Sequence, residues 1–261
     1  MNQIYAIAQN TFREAVRNRI FASLILFAVV MLGAAFAMSS GSMNEEVRLM
    51  KDVGLFFMST SAVAICIFIG VNLVYKELER KTIYTIMPKP IYRTQFLLGK
   101  YLGLAFTMLV LVSVMGAVLG LLLLAVGEPP GLAMLQAFWL IYVEVLVVTA
   151  LALFFSSFST PFLSGLMALG VFVLGRFVDV LLSVRLADAG QETSFTDGAE
   201  TIVKAIAVIL PDLSIYNLTP HVVYARPITF EYLASATLSG LSYAAIGLFI
   251  ASVLFSRRDF V

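Results

Sequence analysis

Three ionisable residues interrupt long apolar stretches of this sequence: Glu144, Arg176 and Asp179. A charge at the centre of a bilayer costs roughly 2.5–3.5 kcal/mol on insertion scales, so such groups face protein or water and are candidates for function. We expect Glu144 either to contact a substrate or to be a hydrogen-bonded structural residue. Arg176 and Asp179 are three residues apart on one helical face, near the outer end of their apolar run, and this spacing allows them to form an ion pair.

Several other chemistries are excluded by residue type. The one cysteine, Cys66, rules out an internal disulfide and a thiolate metal site, and the one histidine, His221, rules out a histidine-rich metal centre. We interpret Cys66 as a small buried residue and His221 as a loop residue without metal partners. A GxxxxGK[ST] phosphate loop is also absent, because Gly99-Lys100 is followed by Tyr101. We therefore expect no nucleotide binding through that motif, and no nucleic-acid partner.

The elements that position the three charges are apolar enough to be membrane spans. Of the 261 residues, 61% are hydrophobic and 13% charged, against about 45–50% and about 25% in soluble domains. A helix needs about 20 apolar residues to cross the hydrocarbon. The sequence has six such runs and predicts an all-α polytopic membrane protein, a single transmembrane domain over residues 1–261, with spans at 20–38, 53–75, 101–126, 132–155, 161–182 and 232–255.

The distribution of charge predicts the orientation of these spans. The segments before the first span, between the second and third, and after the sixth carry 11 basic and 4 acidic residues, a net charge of +7. The rest of the chain carries 6 basic and 12 acidic residues, a net charge of −6. Cytoplasmic loops are enriched in Lys and Arg. We therefore predict a multi-pass cell-membrane protein, in the bacterial inner membrane, with both termini cytoplasmic.

Two segments outside the spans have their own patterns. Residues 1–19 place apolar side chains on one helical face and polar or basic ones on the other, which predicts an amphipathic helix in the plane of the interface. The extracytoplasmic segment 183–231 is acidic and is expected to contain short helices. Its apolar run Ile202–Leu210 is too short to span a bilayer, so it is a re-entrant or interfacial helix, or it packs under the outer loop.

The basic loop 76–100 is predicted to contain a short amphipathic helix over residues 77–87, ended by Pro88 and Pro90. Such a helix between two spans could take a push from a soluble partner and convert it into relative motion of the spans. Alternatively, the loop only sets the topology through its charge. The spacing of the residues is compatible with both interpretations.

This loop resembles the coupling-helix region of the permeases of ABC-2 type ABC transporters. That family reads roughly Glu-x-x-x-Gly-Thr, apolar residues, Ser-x-Pro, Arg and apolar-Gly-Lys, and the matching positions here are Glu79, Thr82, Ile83, Ile86, Pro90, Arg93, Gly99 and Lys100. Lys81 replaces a glycine common in the family, and Met87-Pro-Lys-Pro90 replaces Ser-x-Pro. The Lys-Glu-x-Glu-Arg-Lys-Thr-Ile version is more similar to the branch that includes the NosY-like permeases. The resemblance extends over nearly the whole chain, up to the tail Arg257-Arg-Asp-Phe260.

The resemblance implies a non-catalytic permease subunit of an exporter. Two permeases, a second copy of this chain or a paralogue, would form the pathway within the membrane lipid, and an extracytoplasmic partner could join them. Two copies of a cytoplasmic ABC ATPase would bind ATP and magnesium, and this chain would bind no cofactor. The residues implied to contact the ATPase are Glu79, Arg80, Thr82, Ile83, Tyr84, Ile86 and Met87.

Two other classes of protein remain as alternatives. An autonomous ion-coupled secondary transporter would use Glu144 and the Arg176/Asp179 pair as coupling groups, but the two halves of the sequence show no convincing repeat. An intramembrane enzyme would need clustered His, Asp or Glu residues, or a nucleophile and its base, at membrane depth. The single histidine, in the outer segment, argues against that class.

Overall fold

The computed structural model describes residues 2–39, 46–79, 93–188, 211–224 and 226–257, and within these ranges it contains helices and no strand. The long helices are α1 (Asn2–Arg17), α2 (Arg19–Ser39), α3 (Glu46–Glu79), α4 (Arg93–Ala125), α5 (Leu132–Ser156), α6 (Pro161–Asp188) and α8 (Phe230–Arg257). A 3₁₀ turn (Ser214–Tyr216) and the short helix α7 (Thr219–Val223) precede α8. The predicted all-α class is confirmed for these residues.

Four described helices are long and apolar enough to cross a membrane: Val47–Asn72, Thr94–Ala125, Leu132–Ser156 and Phe230–Leu254. They coincide with the second, third, fourth and sixth predicted spans. The first predicted span falls on α2, and the fifth falls on α6, whose described apolar part is the shorter stretch Pro161–Phe177. The chain is therefore a multi-pass, helical membrane protein.

The helices extend further than the predicted spans do. The 33 residues of α4 correspond to about 50 Å, against about 30 Å of hydrocarbon. It begins at Arg93, eight residues before the predicted start of the span, and α3 continues to Glu79 beyond the predicted end at residue 75. Hydrophobicity detects mainly the part of a helix that lies in lipid, so the charged end of α3 after residue 75 was placed in the basic loop and not in the helix.

At the centre of the bundle lies α5, which packs against α3, α4, α6 and α8. Apolar side chains occur on all of its faces, as expected for a helix surrounded by other helices. About 67% of its apolar stretch is buried, against 28% for α8. The outward face of α8 is left for lipid or for another subunit.

A tight turn joins α4 to α5. Gly127 has φ +88°, a conformation that residues with a Cβ rarely adopt. The amide of Gly127 donates to Leu124 O (3.0 Å) and that of Glu128 to Leu123 O (3.0 Å), so α4 ends in a Schellman motif. The side chain of Glu128 then pairs with Lys51 on α3 at 3.7 Å. These contacts fix the spacing of the two spans at this end of the bundle.

The segment before α8 enters the bundle. Leu213 N donates to Gly175 O (3.1 Å), about halfway along α6, and a Cβ on Gly175 would lie 2.7 Å from Pro211 O. Leu213 and Tyr216 are buried, and a Cβ on Gly240 of α8 would lie 2.9 Å from the Tyr216 hydroxyl. Glycines on two helices thus make room for this segment. The predicted short apolar run Ile202–Leu210 lies outside the described residues.

Candidate functional site

Most of the predicted ATPase-coupling residues lie outside the described part of the chain. Glu79 is the last residue of α3, and its side chain is not described. The others, all outside the described ranges, are Arg80, Thr82, Ile83, Tyr84, Ile86 and Met87. The structure does place the helices on either side of them: α3 ends at Glu79 and α4 starts at Arg93. The coupling function of this segment stays a prediction.

A buried cluster of three polar side chains joins three helices near the middle of the bundle. Arg176 Nη1 on α6 donates to Glu144 Oε1 on α5 at 2.6 Å. Ser59 on α3 donates its hydroxyl to Glu144 Oε2 (2.8 Å) and accepts a bond from Arg176 Nη1 (2.8 Å). The Glu144 side chain is fully buried and that of Arg176 is 14% exposed. Glu144 is therefore a charge-paired, hydrogen-bonded residue.

The partner of Arg176 differs from the one that the sequence suggests. Spacing along the helix favours Asp179, whereas the guanidinium bonds to Glu144, 32 positions away on another helix. Asp179 lies in α6, but its side chain is not among those described. The third member, Ser59, was not identified from the sequence, because a serine in an apolar helix often bonds only to its own backbone. The aromatic ring of Phe172 also contacts the guanidinium, 5.8 Å from its centroid.

Next to this cluster is a cavity of about 10 Å³, close to the space that one water molecule needs. Arg176 and Ser59 contribute to its walls, together with Tyr216, Asn217 and Thr219 from the segment before α8. Burial raises the pKa of Tyr216, and the nearby Ser239 hydroxyl opposes this increase only in part. The hydrogen bonds of the cluster are suited to hold α3, α5 and α6 together, and the inserted segment packs beside them.

A second site joins α1 to the first turns of α4. The amphipathic pattern of residues 1–19 corresponds to α1, whose buried side includes Thr11 and Ala15. A Cβ on Gly99 would lie 2.7 Å from Ile7, and a Cβ on Gly103 would lie 2.6 Å from the carbonyl oxygen of Ala8. These two glycines let α1 approach α4 to backbone contact.

Charge and aromatic contacts secure the same junction. Lys100, only 2% exposed, lies 3.8 Å from Glu14 of α1. The rings of Phe12 and Phe106 meet edge to face at 4.9 Å. Gly99 and Lys100, which form the end of the apolar-Gly-Lys motif, thus lie where α4 contacts α1. The signal that could have predicted this packing is the Gly99-x-x-x-Gly103 spacing, a small-residue motif that allows close helix contact.

The single cysteine and the single histidine of the sequence have local contacts. Cys66 Sγ is buried 2.9 Å from Thr149 Oγ1 of α5. His221 lies in the short helix α7 and stacks on Tyr232 with ring centroids 6.2 Å apart. Within the described ranges, no three His, Cys, Asp or Glu residues come together as a metal site would require.

Comparison with known proteins decides the family. Residues 5–260 match the family model described as ABC-2 family transporter protein. The chain belongs to the ABC-2 transporter family. Over 142 residues it is 30% identical to "Probable ABC transporter permease protein NosY" of Stutzerimonas stutzeri. That match covers 51% of this chain and 50% of the relative, so the chain spans about half the length of the curated relative it matches. The ABC-2 chain is thus the membrane component of an ABC transporter.

Proposed function

We propose that this ABC-2 chain is the permease subunit of an ATP-driven exporter, with six spans, both termini in the cytoplasm and a separate ABC ATPase as its partner. The observation that carries the proposal is the family match over residues 5–260. The relative named as a probable ABC transporter permease supports the same assignment. Family members of this kind are generally non-catalytic, so ATP and magnesium belong to the ATPase, and this chain binds neither.

The described helices provide a route for force between the ATPase and the spans. The predicted contact segment, residues 79–87, lies between α3 and α4, which are 34 and 33 residues long. The first of them continues past its apolar stretch Val47–Asn72 to Glu79, and the second begins at Arg93, so a displacement of the segment acts on two long helices. Because α1 is packed on Gly99, Lys100 and Gly103 of α4, it must move together with the first turns of α4.

The complex that we propose contains two permeases and two ATPases. The second permease is another copy of this chain or a paralogue. ATP binding closes the ATPase pair, and the two permeases then switch between inward-facing and outward-facing states. The outward faces of α6 and α8, with exposed side chains such as Phe162 (83%) and Phe249 (72%), provide apolar surface for lipid or for the second permease.

Co-purification with the ABC ATPase encoded beside this chain tests the proposal. We expect Glu79→Ala, Thr82→Ala and Tyr84→Ala to lose ATPase binding or the stimulation of ATP hydrolysis, while the helical content of the chain is unchanged. Glu231→Ala, in the first turn of α8, is a matched control on the predicted opposite side of the membrane and should keep both. Unchanged complex formation and transport in all three variants would reject the coupling segment, and transport without any ATPase would reject the proposed function.

A further inference from the structure

The face of α1 that points away from α4 carries two arginines and no carboxylate. Arg13 and Arg17 are both exposed and lie one helical turn apart, which places their Cβ atoms about 5–6 Å from each other. Glu14, the acidic residue of α1, is instead turned to Lys100 of α4. Among the described residues, no carboxylate lies within ion-pair distance of either arginine. Two cations at this spacing repel each other, so an anion that contacts both would stabilise them.

The contacts between α1 and α4 set the depth of these arginines in the membrane. They extend along α4 from Gly99 to Phe106. From Ala125, where α4 ends, about 30 Å of hydrocarbon takes about 20 residues and reaches back to about residue 105. A tilt of about 20° moves this boundary by about one residue. The headgroup layer adds about 5–7 Å on each side, so α1 lies at the level of the headgroups.

Beside α1, the surface of α4 is apolar and open to lipid. Leu102 and Phe106, one turn apart, are 50% and 51% exposed. The Phe106 ring meets Phe12 of α1 at 4.9 Å. Val16, which is 44% exposed, follows Phe12 by one turn and lies between Phe12 and Arg13 around the helix. The surface therefore changes from apolar to basic across the width of one helix, as a phospholipid does from acyl chain to phosphate.

Depth and polarity together favour a lipid over a soluble protein as the ligand of this face. A soluble protein would have to enter the headgroup layer to reach it, and the apolar strip beside the arginines continues into the hydrocarbon. Arginine binds phosphate through two parallel hydrogen bonds. We infer that Arg13 and Arg17 together bind the phosphate of an anionic phospholipid, whose acyl chains lie along Leu102 and Phe106.

A tryptophan placed at this site gives a local readout. Trp139 is the single tryptophan of the sequence, so Val16→Trp in a Trp139→Phe background reports from α1 alone. The full chain is reconstituted in phosphatidylcholine vesicles with increasing fractions of either phosphatidylglycerol or phosphatidylcholine that is brominated on its acyl chains, and fluorescence quenching is measured. Half-maximal quenching should need at least about five-fold less of the brominated phosphatidylglycerol, the factor that one arginine near an anionic surface typically contributes.

Variants in the same background show whether the arginines cause this preference. Arg13→Gln/Arg17→Gln should abolish it. Arg48→Gln/Arg226→Gln removes the same number of charges from exposed positions towards the other end of the bundle and should keep it. Leu132→Trp, at a position at that other end that is 72% exposed, replaces Val16→Trp as the reporter and should show no preference. Circular dichroism and the elution volume confirm that each variant is folded.

Four outcomes would overturn the inference. The first is equal quenching of Val16→Trp by the two brominated lipids. The second is a preference that persists in the folded Arg13→Gln/Arg17→Gln variant. The third is a preference of the same size at Leu132→Trp, which would show a general effect of charge. The fourth is the absence of a preference together with loss of ATPase co-purification in Arg13→Gln/Arg17→Gln, which would assign the face to the ATPase. The vesicles contain no ATPase, so the lipid measurements are independent of the proposed function.

Discussion

The carboxylate of Glu144 in α5 and the guanidinium of Arg176 in α6 form an ion pair of 2.6 Å inside the helical bundle. Ser59 of α3 bonds to both groups, so three helices meet at this pair. The segment before α8 lies against the same place through Tyr216 and Asn217. The pair therefore connects the central helix α5 with the segment that precedes α8. The contribution of the pair to the free energy of unfolding can be measured.

Removing one member of the pair should destabilise the protein strongly. Glu144→Ala leaves the Arg176 cation in the bundle without its carboxylate, and breaking a buried pair in this way typically costs about 3–5 kcal/mol. The double variant Glu144→Leu/Arg176→Leu contains no uncompensated charge and should recover most of the loss. Thermal unfolding in detergent, followed by circular dichroism, gives the midpoints. Equal destabilisation by the single and the double variants would contradict this assignment.

The ion pair between Lys51 and Glu128 should behave differently. Its atoms are 3.7 Å apart and its side chains are 21% and 50% exposed. Pairs that reach solvent typically contribute less than about 1 kcal/mol. Glu128→Ala should therefore shift the unfolding midpoint much less than Glu144→Ala does. A shift of similar size would mean that the turn after α4 is as important to stability as the buried cluster.

The junction between α1 and α4 should depend on the absence of a side chain at residue 103. A Cβ there would lie 2.6 Å from the Ala8 carbonyl oxygen, and backbone cannot easily move away. Gly103→Ala should therefore separate α1 from α4, lower the unfolding midpoint and speed tryptic cleavage after Arg13. Gly33→Ala is the control, because nothing lies within 4 Å of its new Cβ. It should be neutral or stabilise by about 0.5–1 kcal/mol; unchanged cleavage in Gly103→Ala would refute the close contact.

The sequence predicts the helices far better than it predicts their contacts. Runs of about 20 apolar residues identify helices because lipid leaves the backbone no other hydrogen-bonding partner. The amphipathic pattern of residues 1–19 likewise leads to α1. The position of Glu144 indicates that it faces protein or water, but the side chain that bonds to it depends on how α5 and α6 are rotated. That rotation is set by packing between distant parts of the chain and cannot be derived from local spacing. Local spacing alone therefore favoured Asp179 as the partner of Arg176.

The glycine pairs show the same limit, since their spacing in the sequence does not reveal what they contact. Gly116-x-x-x-Gly120 is a weak match to the small-residue motif, and in the structure both glycines line a groove between α4 and α5. Gly99 and Gly103 have the same spacing and bring α1 to the backbone of α4. Spacing alone cannot separate the two outcomes, because the partner surface comes from another part of the chain.

Charge reversal should test whether the α1 junction matters for coupling. Glu14→Lys places a second cation within reach of Lys100, which is 2% exposed, and should weaken both the junction and ATP hydrolysis by the proposed complex with the ABC ATPase. Lys100→Glu should do the same through two opposed carboxylates. The combination of both changes restores an opposite-charge pair and should recover hydrolysis at least in part. A double variant with no more activity than either single variant would show that the pair does not position α1.

The buried hydroxyl of Tyr216 should make the protein less stable at alkaline pH. Burial raises the pKa of this hydroxyl in the folded protein, while the unfolded chain keeps the ordinary value of about 10. The unfolded state therefore loses this proton first, so the contribution of Tyr216 to stability is complete below about pH 10 and decreases as the pH rises towards the folded pKa.

Tyr216→Phe cannot ionise, and its unfolding midpoint should fall less than that of the original chain between about pH 9.5 and 11. Tyr224→Phe, at a position that is 63% exposed, is the matched control and should follow the original chain. Parallel pH profiles for all three proteins would show that the Tyr216 hydroxyl remains accessible to solvent in the folded state.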